Sequence, residues 1–369
     1  MPRGLPLRLV VGALLLSLPL AAGARGWSAG VRERVATVAV FPVENLSGGS
    51  APTAEIRQFL IDRLASEGFT VLDDGALEAF LTRHRVRYAA GIDAPTAESL
   101  RKEAGVDGVV IASVDLSSDA VPPKLGLFMR LVSVTGAPTV IWAGDAGVAG
   151  DDAPGMFGRG VINDYQILQT RTLTRLADSL LAYLKSGESG ADAKPASKFR
   201  PKASFRSFTL EPDRSYSVVV APFFNMSERR YGGEILALLY MRHLASVPQF
   251  RVIDAGVVRR QLLDDRIIMD GGLSVGDAET VASHIGADLV LAGRVLRYED
   301  YEGAAGRAAV EFSTALIETK SRRVVWSSDS YNEGSDGVRF FERGASRTAH
   351  AMATQMVRLT AEMIAGRDR

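Results

Sequence analysis

Two stretches of this chain carry one pattern, so whatever fold satisfies the first must be built a second time. Val38-Ala39-Val40-Phe41-Pro42-Val43-Glu44-Asn45-Leu46-Ser47 is answered by Val218-Val219-Val220-Ala221-Pro222-Phe223-Phe224-Asn225-Met226-Ser227. Phe69–Asp73 matches Phe250–Asp254, Ala104–Ala112 matches Ile285–Gly293, and Val140-Ile141-Trp142 matches Val324-Val325-Trp326. The offset is 180 at Pro42 and Pro222, 181 at Asp73 and Asp254, and 184 at Trp142 and Trp326. Solenoid repeats recur at roughly 20–50 residues, so blocks this far apart and still in order mark the duplication of a whole domain. The copies are placed at 35–185 and 215–365. The segment between them, 186–214, is rich in Gly, Pro and small polar residues and reads as a linker that buries little.

Each copy predicts the order β-α-β-α-α-β-β-β-α. Short apolar runs at 37–41 and 217–221 read as buried strands. Ile56, Phe59, Leu60 and Leu64 fall on one helical face, as do Ile235, Leu238, Leu239 and Leu244. Strands at 70–72 and 251–253 end at Asp73 and Asp254, both placed to cap the next helix. Two further helices lead to three strands at 107–116, 125–134 and 138–144, and at 288–297, 308–318 and 322–328. The last two of each set form a hairpin. Apolar stripes through Leu173–Leu184 and Ala349–Met363 read as long closing helices, with Trp142 and Trp326 beneath them. The expected fold class is α/β (α+β): two tandem copies of a mixed β-sheet domain flanked by helices.

Ahead of the first copy, Arg3 and Arg8 precede an apolar run, Leu9–Ala22, and the small-residue sequence Ala22-Gly23-Ala24. That order reads as a signal peptide over 1–24, the alternative being an uncleaved anchor; the run carries Pro19 and is short of the ~20 residues that span a bilayer. No later stretch reads as membrane-spanning. Basic and acidic side chains balance at 43 each, without a basic run, which argues against nucleic acid as a partner. The absence of cysteine removes disulfides, thiolate metal sites, cysteine nucleophiles and a lipidated cysteine. The expected location is therefore periplasmic, not lipidated, or associated with the outer membrane through a partner.

The "VAVFPVENLS" opening, the F-x-V-L-D strand, the G-x-D-x-V-V-I-A strand and the T-G-x-x-V-I-W hairpin resemble the periplasmic domain family of the curli-secretion protein CsgG. The amino-terminal domain of TolB and the penicillin-binding-protein activator LpoB are similar. A weaker similarity is to auxiliary components of lipid-transporting ABC systems. The resemblance covers both copies and implies scaffold, assembly or secretion roles in the bacterial envelope rather than catalysis. Two departures stand out: no cysteine to lipidate, and loops at 116–124 and 297–307 too short, charged or glycine-rich for pore-forming hairpins.

Catalytic constellations are not evident. His84, His243, His284 and His350 do not recur between copies and lack metal-ligand spacing. Ser99-x-x-Lys102 lies on a helix without companion motifs, and Gly158-x-Gly160 lacks a third glycine. Asn45 with Ser47, and Asn225 with Ser227, follow the first strand of each copy, where a turn competes with a ligand site as the explanation. Arg159 and Arg343 are candidate partners for Asp107 and Asp288. The expected function is a non-catalytic envelope module, with no cofactor and no metal, that binds another envelope protein. Asn225, Ser227, Arg229, Arg230 and Tyr231 are the candidate partner-binding residues, because Arg and Tyr are enriched at interface hot spots and the first copy has only Gly48-Gly49-Ser50-Ala51 there. The alternatives are an auxiliary part of an envelope transport or secretion system, and a ligand receptor using a cleft between the copies.

Overall fold

The computed structural model describes Met1 and residues 35–152, 160–188, 196–269, 272–301, 307–336 and 345–367. The expected signal peptide lies outside the described residues apart from Met1, as do Arg159 and Arg343. Arg34–Arg369 form one compact unit.

The first copy runs β1 (Thr37–Val40), β2 (Glu44–Asn45), α1 (Thr53–Ser66), β3 (Thr70–Val71), α2 (Asp74–Arg83), α3 (Ala94–Ala104), β4 (Gly108–Ser118), β5 (Lys124–Ser133), β6 (Thr139–Ala149) and α4 (Tyr165–Ser186). After β7 (Ala203–Arg206) the order recurs as β8 (Tyr216–Val220), β9 (Phe224–Asn225), α5 (Gly232–Ala245), β10 (Phe250–Val252), α6 (Ala255–Asp264), α7 (Val275–Ile285), β11 (Leu289–Glu299), β12 (Ala309–Glu318), β13 (Arg323–Glu333) and α8 (Ala349–Ile364). The first sheet is ordered β3-β1-β4-β5-β6 and the second β10-β8-β11-β12-β13-β7, with β2 on β4 and β9 on β11. In both, the opening strands pair in parallel and the last three are antiparallel. Trp142 pairs with Leu131 beside a bulge, and Trp326 pairs with Leu316 beside the same bulge. Val110 and Leu291, the third residues of β4 and β11, are fully buried.

The structure extends the expected elements in three places. The short strands β2 and β9 were not anticipated, since two residues leave no periodicity to read. The hairpin strands β6 and β13 run five residues past the expected ends at 144 and 328, through Asp145-Ala146-Gly147 and Asp329-Ser330-Tyr331, where glycine and polar residues hide the strand signal. The second half of the expected linker is also folded. β7 pairs with the edge of β13, and Phe199 and Leu210 are buried beside it.

The helices explain why the molecule is one body. In the first copy, α1 and α4 cover one face of the sheet through Ile56, Leu60, Leu173, Leu176 and Leu180. On the other face α2 and α3 cover only the β1 end. The rest of that face, around β5 and β6, is covered by α5 and α8 of the second copy. Those two helices also cover their own sheet, and Leu46, Phe128 and Val140 of the first copy join the second copy's core. α5 is accordingly buried nearly all round: Ile235 through Met241 and Leu244 are all buried. A helix apolar on every side is a helix between two layers. Among the described residues no helix covers the corresponding outer face of the second sheet, and Arg294 and Asp329 are exposed there beside Glu311, Ser313 and Tyr331.

Candidate functional site

The seam between the copies is where charged groups converge. Asp254 caps α6 as its sequence position implies, accepting from the Gly256 amide at 2.9 Å. It also accepts from the Ile92 amide of the first copy at 2.8 Å and from Arg130 Nε at 2.8 Å. Arg130 in turn donates to the Ala90 carbonyl at 2.6 Å. Both side chains are sealed, at 2% and 0% exposure. The backbones meet closely here: a Cβ on Gly256 would lie 2.2 Å from the Ile92 nitrogen.

A second buried network lies further along the seam. His350, at the start of α8, donates from both ring nitrogens, to Asp115 of β4 at 2.6 Å and to Asp145 of β6 at 2.9 Å. Arg242 of α5 forms an ion pair with the same Asp145. Burial disfavours a charged imidazole, but the Asp115 charge and the hydrogen bonds to both carboxylates outweigh it and push His350 up to about 10. Burial likewise opposes ionisation of Asp145, and Arg242 and His350 reverse that, holding it below the usual carboxylate range. His243 goes the other way. Burial and then the adjacent Arg242 push it well down, so it is neutral and bonded to Thr354 Oγ1 at 2.8 Å. Two carboxylates thus face two cations, and the set is electrically balanced. His350 is 1% exposed, which puts its nitrogens out of reach of a substrate. This arrangement clamps the copies together and is unsuited to acid–base chemistry on a ligand. No group of three or more His, Cys, Asp or Glu with metal-binding geometry occurs among the described residues.

The candidate loop residues separate into two groups. Asn225 Oδ1 accepts from the Ser227 amide at 3.2 Å and hydroxyl at 2.7 Å, while its Nδ2 donates to the Arg229 carbonyl at 2.6 Å. Asn45 and Ser47 make the same turn in the first copy, at 3.0 and 2.6 Å. These residues shape the entry to α5 and α1, which is the turn reading of the pair. Arg229 reaches across the seam and donates to the Asp115 carbonyl. Arg230 is exposed and stacks on Tyr231 at 5.0 Å. Phe224 and Met226, 38% and 58% exposed, flank the same loop. Asp107 and Asp288, for which Arg159 and Arg343 were the expected partners, accept from the backbone amides of Thr37 and Ser217. Asp288 also meets Arg214 at 3.2 Å.

Beside this loop the seam opens into a cavity of about 180 Å³. Glu44, Leu46 and Tyr88 come from the first copy, and Tyr231, Glu234, Leu238, Met241, Arg259 and Leu262 from the second. Burial raises the Glu44 carboxyl despite nearby Arg130, and Glu234 raises it further. Burial raises Glu234 and the Tyr88 phenol as well. None of Glu44, Tyr88, Glu234 and Arg259 stood out in the sequence. The available signals were Glu234 as the lone acid in the apolar run of α5, and Glu44 where the second copy has Phe224.

No family model and no curated protein matches the sequence. Among solved structures the chain is similar to the PelC dodecamer from Paraburkholderia phytofirmans, at 18% identity and a TM-score of 0.31 over 44% of this chain and 94% of that one. It is also similar to the lipoprotein GNA1162 from Neisseria meningitidis, at 20% identity and a TM-score of 0.30 over 39% of this chain and 99% of that one. A third similarity is to the LpoB C-terminal domain from Salmonella enterica, at 24% identity and a TM-score of 0.27 over 31% of this chain and 83% of that one. No helix among the described residues is long and apolar enough to cross a membrane.

Proposed function

We propose that this chain is an exported, non-catalytic binding module of the bacterial envelope, which engages a partner protein through the loop between β8 and α5. The reading rests on one observation: Phe224, Met226 and Arg230 are exposed around a turn that Asn225 and Ser227 hold rigid. An aromatic, a methionine and an arginine on a preorganised loop are the residue types that anchor interfaces, and a fixed loop loses little entropy on binding. Arg229 belongs to the seam, which leaves Arg230 and Tyr231 as the polar anchors of the original set. The buried His350 network supports a structural use of the charged seam residues. The test is co-purification from envelope extract with a Met226→Ala, Arg230→Ala double variant. Loss of a partner retained by the parent protein, at an unchanged melting temperature, is the expected result. Retention of every partner would remove this loop from consideration.

A further inference from the structure

We propose that the cavity between the two copies binds an organic cation on a short apolar stem, the chemistry of an alkylammonium or alkylguanidinium group. Its volume is about 180 Å³. That falls short of the ~300–1,000 Å³ typical of sites for drug-sized ligands, and it suits one extended basic side chain or a free amine of that length.

The walls divide the same way the ligand would. Leu46, Leu238, Met241 and Leu262 supply an apolar lining for the stem. Glu44 and Glu234 approach from opposite copies, and neither has an ion-pair partner within 4 Å among the described residues. The positive groups nearby do not balance them. Arg130 is neutralised by Asp254. Arg259 lies over the Tyr88 ring at 4.2 Å, one cation against two carboxylates. An anion would be repelled, and a neutral occupant would leave the excess negative charge of the two half-buried carboxylates to be met by protonation; a cation supplies that charge directly. Tyr88 and Tyr231 add aromatic rings, each already stacked against an arginine, at 4.2 and 5.0 Å, which is the contact a guanidinium or ammonium makes with such a face.

This site shares Tyr231 with the partner reading, but Met226 and Arg230, the residues replaced in the partner test, are not among those that line it, so the two tests fail separately. The cation has two sources, a free amine or a basic side chain of a peptide. Calorimetric titrations of the protein with agmatine, with n-butylammonium and with an acetylated Gly-Gly-Arg-Gly-Gly amide distinguish them. Saturable binding of a free cation identifies the small amine, and binding of the peptide as well identifies a side chain. Glu44→Gln with Glu234→Gln should weaken either at least about tenfold, ~1.4 kcal/mol, and n-butanol should not bind. Ala237→Leu, which fills the cavity and leaves both carboxylates, should abolish binding, so the test stands even if the double variant misfolds. Binding should also weaken in acid as Glu44 and Glu234, whose carboxyls burial raises, take up protons; Tyr88, Arg259 and the Arg130–Asp254 pair are the groups that face them. Absence of saturable binding by all three cations, equal binding of n-butanol, or unchanged affinity in both variants would overturn the proposal.

Discussion

The same residue type at the same repeat position has two different weights in this molecule. Asp73 and Asp254 both cap the helix that follows, Asp73 through the Ala76 amide at 3.0 Å. Asp254 additionally holds Arg130 and the Ile92 amide inside the seam. Asp73→Ala should therefore cost about 1 kcal/mol, the usual worth of an N-cap. Asp254→Ala should cost about 3–5 kcal/mol, because it strands a buried guanidinium. Denaturant titrations of the two variants measure the difference, and equal losses would mean the seam pair adds nothing. His350 predicts a pH dependence of definite sign. Its folded-state pKa lies above its ordinary value, so its contribution is complete below about pH 6.5 and is lost as pH rises through about 10. The melting temperature should fall across that alkaline window, and His350→Gln should lower stability overall while flattening the fall. Asp145 has the opposite sense: its contribution is lost only on strong acidification.

At the scale of elements, the seam depends on what is missing from β6. A Cβ on Gly147 would lie 2.6 Å from the Ala351 nitrogen and 2.7 Å from the His350 ring. Gly147→Ala should cost about 1–3 kcal/mol through overpacking, whereas Gly49→Ala, with open space around it, should stay within about 0.5 kcal/mol. Thermal melts of the pair check both. The sequence made the repeat, the helices and most strands legible because they rest on local periodicity and capping residues. Asp73 and Asp254, placed by the sequence at helix starts, cap α2 and α6 through the Ala76 and Gly256 amides. The docking of the copies was less legible because it is non-local. α5 displays its evidence in Glu-Ile-Leu-Ala-Leu-Leu-Tyr-Met, an apolar run that a single-faced helix does not need, although helical spacing alone marks only the stripe Ile235, Leu238, Leu239 and Leu244. The cavity was illegible for the same reason: Glu44 and Glu234 are 190 positions apart, and no spacing rule joins them. The repeated Asn–Ser pair was visible, and its two identical turns favour the local explanation that the sequence had left beside a functional one.

At the scale of the whole molecule, α5 and α8 serve two sheets, so neither copy completes its core alone. Differential scanning calorimetry should show one cooperative transition for residues 34–369, and two separated transitions would show that the seam is weaker than the buried groups imply. Residues 35–185 expressed alone should expose Phe128 and Val140 and bind a hydrophobic dye. The docking also runs head to tail, the sheet of one copy receiving the helices of the next. An interface of that kind is open-ended unless something stops it, and unlimited repetition gives a fibre. Here the stop is written into the last sheet. Where the first sheet has Gly126 paired with Gly147, the second has Glu311 paired with Tyr331. Phe128, which helps seat α5, has Ser313 as its counterpart. A third pair of helices would meet a tyrosine and a carboxylate where the first sheet offers bare backbone, so duplication produced a stack that terminates itself at two.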